Sequence, residues 1–332
     1  MSGRRLAAAL TLLALLAAAP ANAYHREEHY YTVQLTLAEL RPRIEGDAVA
    51  AMCSQLADES KELNAIEAYR ALMRHPLAYA AWSFGGGASE TVARMLAIQQ
   101  LVHGLTGGSP RGTRAVAERA VAAATKRLDG KLSAQERADA LCALGFSLHL
   151  YGDTYAHTRL KNPDKMYDTG LGHFFDASVP DFPLCAPHRQ ADWAAYVAAS
   201  PKLFPGHRVD GSMAALVERS RALLGTSKRA NAFEQGKLRR AETDALDALG
   251  ETPMPLYKNR REKPCREVVA AWAALHHIQT PPTCDGTWRL FSRDAAEAYA
   301  DYEATPANET EPARALKMRR PFTTESPFQE AR

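Results

Sequence analysis

The chain has 332 residues, 46% of them hydrophobic, and is long enough to bury a substantial core as one large domain or two small ones. It has 41 basic and 38 acidic residues, and the net charge of +3 falls to about +1 without Arg4 and Arg5 of the predicted signal peptide. A charge so close to balance argues against a protein that binds the nucleic-acid backbone through bulk positive charge.

The first 23 residues have the three parts of a cleavable signal peptide. These parts are a positive start at Arg4 and Arg5, an apolar run over residues 6–19, and the small-x-small site Ala21-Asn22-Ala23. The apolar run is about 14 residues long, whereas a helix that spans a bilayer needs roughly 20. We therefore expect a mature chain that starts at Tyr24, is periplasmic or secreted, and has no integral membrane span after cleavage.

Most of the mature chain is predicted to be helical, because apolar residues recur at helical spacing. Residues 32–37 alternate like a strand, but we predict a helix there too. The next helix follows a cap at Asp47 and carries Val49, Met52, Cys53 and Leu56 on one face. Further helices are expected over residues 89–103, 110–128, from 133 onward, and around 268–275. With no clear hairpin signal, the fold is predicted to be all-α.

This pattern predicts a helical core over residues 24–200 and a helical C-terminal portion, residues 201–304, within the same domain. Residues 305–332 are polar and lose helical periodicity, which predicts a disordered tail. His103 falls near the end of a predicted helix, where a histidine favours the helix dipole.

Five cysteines remain in the mature chain, and an oxidising compartment permits disulfides. Cys265 and Cys284 flank one compact segment and are the predicted pair. Cys53 and Cys142 lie on apolar helical faces and are predicted to be ordinary core residues. The absence of a CxxC motif argues against a zinc site built from cysteines.

Polar residues with metal-binding chemistry gather in residues 133–181. Ser133 and Glu136 form a capping box, which fixes a helix start. The apolar face of this helix continues into His149 and Asp153, with His157 one turn further. A buried carboxylate must be paired, hydrogen-bonded or bound to a metal.

His149, Asp153 and His157 share one helix face, since each step of four residues drifts by only about 40°. The two histidines are roughly 12 Å apart along the axis, and ligand bonds to zinc are about 2 Å, so they do not readily hold one ion. Asp153 between them can bridge two ions. Taken singly, each residue also fits a core histidine, an ion pair or a surface position; together with His173, they favour a multinuclear metal site.

Five stretches carry a family resemblance. Three lie in the central part of the chain: His149-Leu-Tyr-Gly-Asp153-Thr-Tyr-Ala-His157, Gly172-His173 and Pro180-Asp181. The other two lie near the N-terminus: Glu28-His29-Tyr30-Tyr31 and Ser54-Gln55-Leu56-Ala57-Asp58. They resemble an uncharacterised bacterial family related to zinc-dependent phospholipase C, over roughly residues 24–181. The wider superfamily includes the P1-type nucleases, is all-helical, holds three zinc ions and cleaves phosphate esters. The resemblance thus implies a multi-helix single domain of this type with a helical C-terminal extension.

The resemblance also implies a set of metal ligands. They are His29, Asp58, His75, His149, Asp153, His157, His173, Asp176 and Asp181. Asp153 would bridge two ions, His157 and His173 would hold another, and Asp58 would lie near the reactive water. Asp176 and Asp181 are alternatives, because the phospholipases have a carboxylate where this chain has Ala177. The superfamily also uses the mature N-terminal amine as a ligand, which Tyr24 would supply here.

The function that the resemblance implies is a phospholipase C-like, zinc-dependent phosphoric-ester hydrolase with two or three zinc ions. Asp58 would orient or deprotonate the attacking water. The expected substrate is a phospholipid or another phosphate ester, with no strong signal for nucleic acid. Three alternatives stay open: a non-catalytic metal-stabilised helical protein, a P1-like nuclease, and an exported effector.

Overall fold

The computed structural model describes residues 26–38, 44, 46–65, 68, 70, 74–75, 77–78, 89–169, 172, 187–204, 263–304 and 324–328. The all-α prediction is confirmed for this part of the chain, which adds only one short hairpin. None of the helices in these ranges is long and apolar enough to cross a bilayer. The predicted signal peptide, residues 1–23, lies outside the described residues, as do residues 205–262 of the predicted C-terminal portion.

The described elements follow one another in a simple order. They are α1 (Arg26–Ala38), α2 (Asp47–Glu59), α3 (Glu90–Ala97) with a π-helix (Ile98–Val102), α4 (Pro110–Leu128), α5 (Ala134–Ala156), β1 (Thr158–Arg159), β2 (Asn162–Met166), α6 (Pro187–Ala199) with a 3₁₀ turn (Ser200–Leu203), α7 (Cys265–Leu275) and α8 (Cys284–Glu303). The helix predicted over the strand-like residues 32–37 is present, as part of α1.

Local sequence signals fix where these helices begin. The capping box is present at the start of α5: the Ser133 hydroxyl accepts from the Glu136 amide, and the Glu136 carboxylate accepts from the Ser133 amide. The prediction of an Asp47 cap for α2 is wrong by one residue. Gly46 is the cap, in a left-handed conformation with φ of 112°, and Asp47 is the first helical residue.

The centre of the fold is α5, in which residues 138–156 are all buried. Helices α1, α2, α4, α6 and α8 all pack against it. A helix that is covered on every side can place polar groups in the middle of a protein only if other elements satisfy them. His149 and Asp153 of α5 are such groups, so their surroundings define the candidate site.

Two disulfides join the described helices. The predicted Cys265–Cys284 bond is confirmed and links α7 to α8. The prediction for Cys53 and Cys142 is wrong, because they form a second disulfide between α2 and α5. The two helices approach closely at Gly145, where an added Cβ would lie 2.2 Å from the Ala50 carbonyl oxygen. Helical periodicity gives the face of each cysteine but not this distance between two helices.

Two further features differ from the sequence prediction. β1 and β2 pair antiparallel in a hairpin that was not predicted, since four of the five β2 residues are exposed and carry no apolar alternation.

The predicted disorder of residues 305–332 does not hold for residues 324–328. There the Trp288 indole donates to the carbonyl oxygens of Thr324 and Glu325, both at 3.0 Å, and Phe328 is buried.

Candidate metal centre

Six side chains from separate parts of the chain meet beside α5. They are His29 of α1, Asp58 of α2, His103 directly after the π-helix, His149 and Asp153 of α5, and His157, the residue that ends α5. All are buried except Asp58, whose side chain is 8% exposed. The chain therefore folds four histidines and two carboxylates into its interior.

Asp153 lies at the centre of this cluster, and its two oxygens face different histidines. Oδ1 is 3.1 Å from Nε2 of His29. Oδ2 is 3.0 Å from Nε2 of His149 and 3.1 Å from Nδ1 of His103, with His157 further away at 3.8 Å. A carboxylate that bridges two ions needs this arrangement, with separate nitrogen ligands near each oxygen.

Asp58 approaches the same histidines from α2. Its Oδ1 is 4.0 Å from Nδ1 of His103, and its Oδ2 is buried and has no hydrogen-bond partner among the residues that the structure describes. In each of two groups, the ligand atoms all lie within 4.8 Å of one another. One group is His29, Asp58 and His149, and the other is His103, His149 and Asp153. These five residues can hold a metal ion.

The orientation of His103 suits a metal ligand. Its Nε2 is 2.9 Å from the carbonyl oxygen of Leu63 and must donate to it, since a carbonyl only accepts. In the neutral ring, the lone pair is then on Nδ1, which is 3.1 Å from Asp153 and 3.3 Å from Nε2 of His149. Metal-binding histidines commonly donate their other ring nitrogen in this way. A lone pair so close to a carboxylate favours a bound cation.

The charges in the cluster oppose the effect of burial. Burial alone would lower the pKa of His149, but the Asp153 and Asp58 carboxylates outweigh it and raise that pKa to about 8. Burial would raise the pKa of Asp153, but His149 and His157 hold it well below its ordinary value. For Asp58, burial prevails over the histidines and the pKa is raised. The negative charge of Asp153 therefore favours the binding of a cation beside it.

Gly152 allows α1 to bring His29 into the cluster. An added Cβ at Gly152 would lie 2.8 Å from Cε1 and 2.9 Å from Nδ1 of His29, and 2.9 Å from Cζ of Tyr196. Contacts this short force a neighbour to move, and His29 is the neighbour that faces Asp153.

We expect Gly152→Ala to weaken zinc binding by about 10–100-fold, the effect typical of disturbing the groups that position a ligand. Zinc titration followed by fluorescence or calorimetry measures this. Gly130→Ala, after α4, is the control, because its Cβ would meet only the Arg127 carbonyl oxygen at 3.2 Å. Equal zinc affinity in the two variants would contradict a positioning role for Gly152.

The structure brings five of the predicted site residues together: His29, Asp58, His149, Asp153 and His157. It places a sixth, His75, on the exposed surface and outside both groups of ligand atoms. The predicted ligands His173, Asp176 and Asp181 lie outside the described residues. The preceding Gly172 is described, and an added Cβ there would lie 3.4 Å from Leu105, two residues beyond His103.

His103 was missed as a site residue. Its predicted place at a helix end is confirmed, because His103 follows the π-helix, but its ring is fully buried against Asp153, which that prediction did not include. A signal was present, since the buried face of α3 runs through Val92 and Leu96 and continues at helical spacing to Gln99 and His103. The same continuation of an apolar face indicated His149 in α5.

The chain matches no known protein-family model, no curated protein and no solved structure. The function of the protein is therefore inferred from the clustered histidines and carboxylates, their burial and their charge.

Proposed function

We propose that this protein is a zinc-dependent phosphoric-ester hydrolase, similar in activity to phospholipase C, that acts in the periplasm or outside the cell. The observation that carries the proposal is Asp153, whose two oxygens lie about equally close to different histidines. Four buried histidines around two carboxylates are more donors than one ion uses, and imidazole with carboxylate is a typical zinc ligand set.

The side chains divide into two ligand positions around Asp153. The first comprises Oδ2 of Asp153 with His149 and His103, and the second comprises Oδ1 of Asp153 with His29 and Asp58. His149 belongs to one position only, because a ring nitrogen donates a single lone pair. His157 lies at the edge of the cluster, where the sequence predicts a further ion shared with His173. We therefore expect about two or three zinc ions per chain.

Bound zinc would lower the pKa of a water molecule and stabilise the charge on a phosphate ester. In this chain, Asp58 is the group suited to accept the proton of that water. Its Oδ2 has no hydrogen-bond partner among the described residues, and burial raises the pKa of the carboxyl, so Asp58 can accept a proton there. Asp153, with its lowered pKa, stays ionised and holds the histidines in place.

The proposed location and substrate have separate support. Two buried disulfides suit an oxidising compartment, in agreement with the predicted signal peptide. The nearly balanced net charge argues against binding of nucleic acid through bulk positive charge, so phospholipid is the first substrate to test and single-stranded DNA the second.

One observation favours a second candidate, a non-catalytic metal-stabilised protein. His29, His103, His149 and Asp153 have no exposed surface, and only Asp58 reaches solvent among the five clustered residues. Closed coordination is typical of structural zinc sites, whereas catalytic sites keep a position open.

The deciding experiment uses untagged protein purified from the periplasm and reconstituted with zinc. We expect about two or three bound zinc ions and hydrolysis of a phosphodiester reporter that stops on chelation and returns with zinc. Phosphatidylcholine vesicles and single-stranded DNA, assayed side by side, then identify the substrate class. A zinc-loaded protein that is inactive on all three would support the metal-stabilised candidate. Less than half an ion per chain would contradict both candidates.

A further inference from the structure

A second set of buried polar groups lies along the interface of α1 and α2. The hydroxyls of Thr32 and Thr36, both polar atoms of the Gln55 amide, and Oδ2 of Asp58 are buried and have no hydrogen-bond partner within the part of the chain that the structure describes. Thr32, Thr36 and Gln55 have no exposed surface at all. Buried polar atoms in proteins nearly always have a partner, and when the protein does not supply it, ordered water usually does.

Helical spacing places these groups next to one another. Thr32 and Thr36 follow His29 by three and seven residues, so they share its face of α1. Gln55 precedes Asp58 by three residues and shares its face of α2. The ligand atoms of His29 and Asp58 lie within 4.8 Å of each other. These two faces therefore look toward each other.

The directions of α1 and α2 also place the polar groups of the two helices side by side. His29 lies near the start of α1 and Asp58 near the end of α2, so the two helices run antiparallel. One turn away from the metal centre leads to Thr32 on α1 and to Gln55 on α2, each about 4.5 Å along its axis from the ligand residue. Thr36 lies about 6 Å beyond Thr32. The unpartnered atoms thus form a row that starts at Asp58.

We propose that this row, which we call the α1–α2 seam, binds buried water through Thr32, Thr36, Gln55 and Asp58, and that this water supplies the metal centre. A buried water molecule typically makes about three hydrogen bonds, so five polar atoms provide partners for one or two. The side chains of the seam other than Asp58 are neutral hydroxyl and amide groups. They are poor zinc ligands, and they offer no positive charge to an anion.

Water binding at the seam stands on the geometry alone, whereas its supply to the metal centre rests on the proposed function. Thr32→Val and Gln55→Met keep the shape of each side chain and remove its hydrogen bonds. If the seam is hydrated, each variant leaves water with fewer partners, and we expect the melting temperature of the zinc-loaded protein to fall by about 2–6 °C. The double variant should fall by less than the sum, because the two residues share water.

The matched control is Thr287→Val on α8, which removes a buried hydroxyl that lies outside the seam and has no hydrogen-bond partner among the described residues. Its melting temperature should stay the same or rise, since one hydroxyl by itself offers fewer partners than the two to four that a buried water needs. Melting temperatures that rise in Thr32→Val and Gln55→Met, as in the control, would overturn the proposal. If Gln55→Met does not fold, Thr32→Val alone decides. A high-resolution crystal structure should show water between Thr32 and Gln55, and a dry seam there would also overturn the proposal.

The supply of water to the metal centre is tested separately, by measuring kcat. We expect Gln55→Met to lower kcat while the zinc content stays equal to that of the unmodified protein. An unchanged kcat with a lower melting temperature would overturn the supply of water to the centre. An unmodified protein that is fully loaded but inactive on every substrate would contradict the proposed function, and the melting series would still decide whether the seam binds water.

Discussion

Asp153→Asn should remove more than one zinc ion from the protein. The carboxamide keeps the size of the side chain but loses its charge, and its amino group cannot bind a cation. Because Oδ1 faces His29 while Oδ2 faces His149 and His103, one ligand position loses its oxygen donor from Asp153 and the other keeps only a neutral amide oxygen. Metal analysis after zinc reconstitution measures the loss. The melting temperature should fall at the same time, since zinc stabilises only the folded state.

Asp139→Asn is the matched control for this experiment. Asp139 is also buried on α5, but it accepts from the amide of Thr283 at 2.6 Å, at the start of α8. Its replacement should lower stability through the lost charge at that helix start and leave the zinc content unchanged. If Asp153→Asn also keeps all of its zinc, Asp153 is not a ligand. A loss of one ion only would remove its bridging role.

Asp58→Asn should lower kcat by about 10²–10⁴-fold, the contribution typical of a general base. Among the described residues, Oδ2 of Asp58 has no hydrogen-bond partner, and Asp58 is the only one of the five clustered side chains with any exposed surface. Zinc content must be measured in parallel, because Asp58 also belongs to one group of ligand atoms. If activity falls only in proportion to the lost zinc, Asp58 acts only as a zinc ligand. Unchanged activity would show that Asp58 takes no part in the reaction.

Asp294→Asn separates an effect on catalysis from an effect on the fold. Asp294 forms a two-point ion pair with Arg127, at 2.6 and 2.7 Å, between α8 and α4. Breaking this nearly buried pair should lower the melting temperature without changing kcat per bound zinc. A similar loss of kcat in this variant would show that the Asp58→Asn result reflects stability.

The local sequence determined the helices and the main ligands on α5. The capping box at Ser133 and the apolar periodicity after it depend on residues only a few positions apart, so they can be read directly from the chain. His149 and Asp153 are one turn apart on the same helix, and the face they share follows from helix geometry alone. Their burial followed as well, because they continue an apolar face.

Only the tertiary structure decided which distant groups meet Asp153. His29 and His103 lie 124 and 50 residues before it, and no helical spacing relates residues so far apart. The same reason explains the unpredicted bond between Cys53 and Cys142, which are 89 residues apart. The close approach of α1 to α5 depends on Gly152, whose missing side chain matters only once His29 lies against it. Sequence periodicity gives the face that a residue presents, whereas packing between helices gives the residue that it meets.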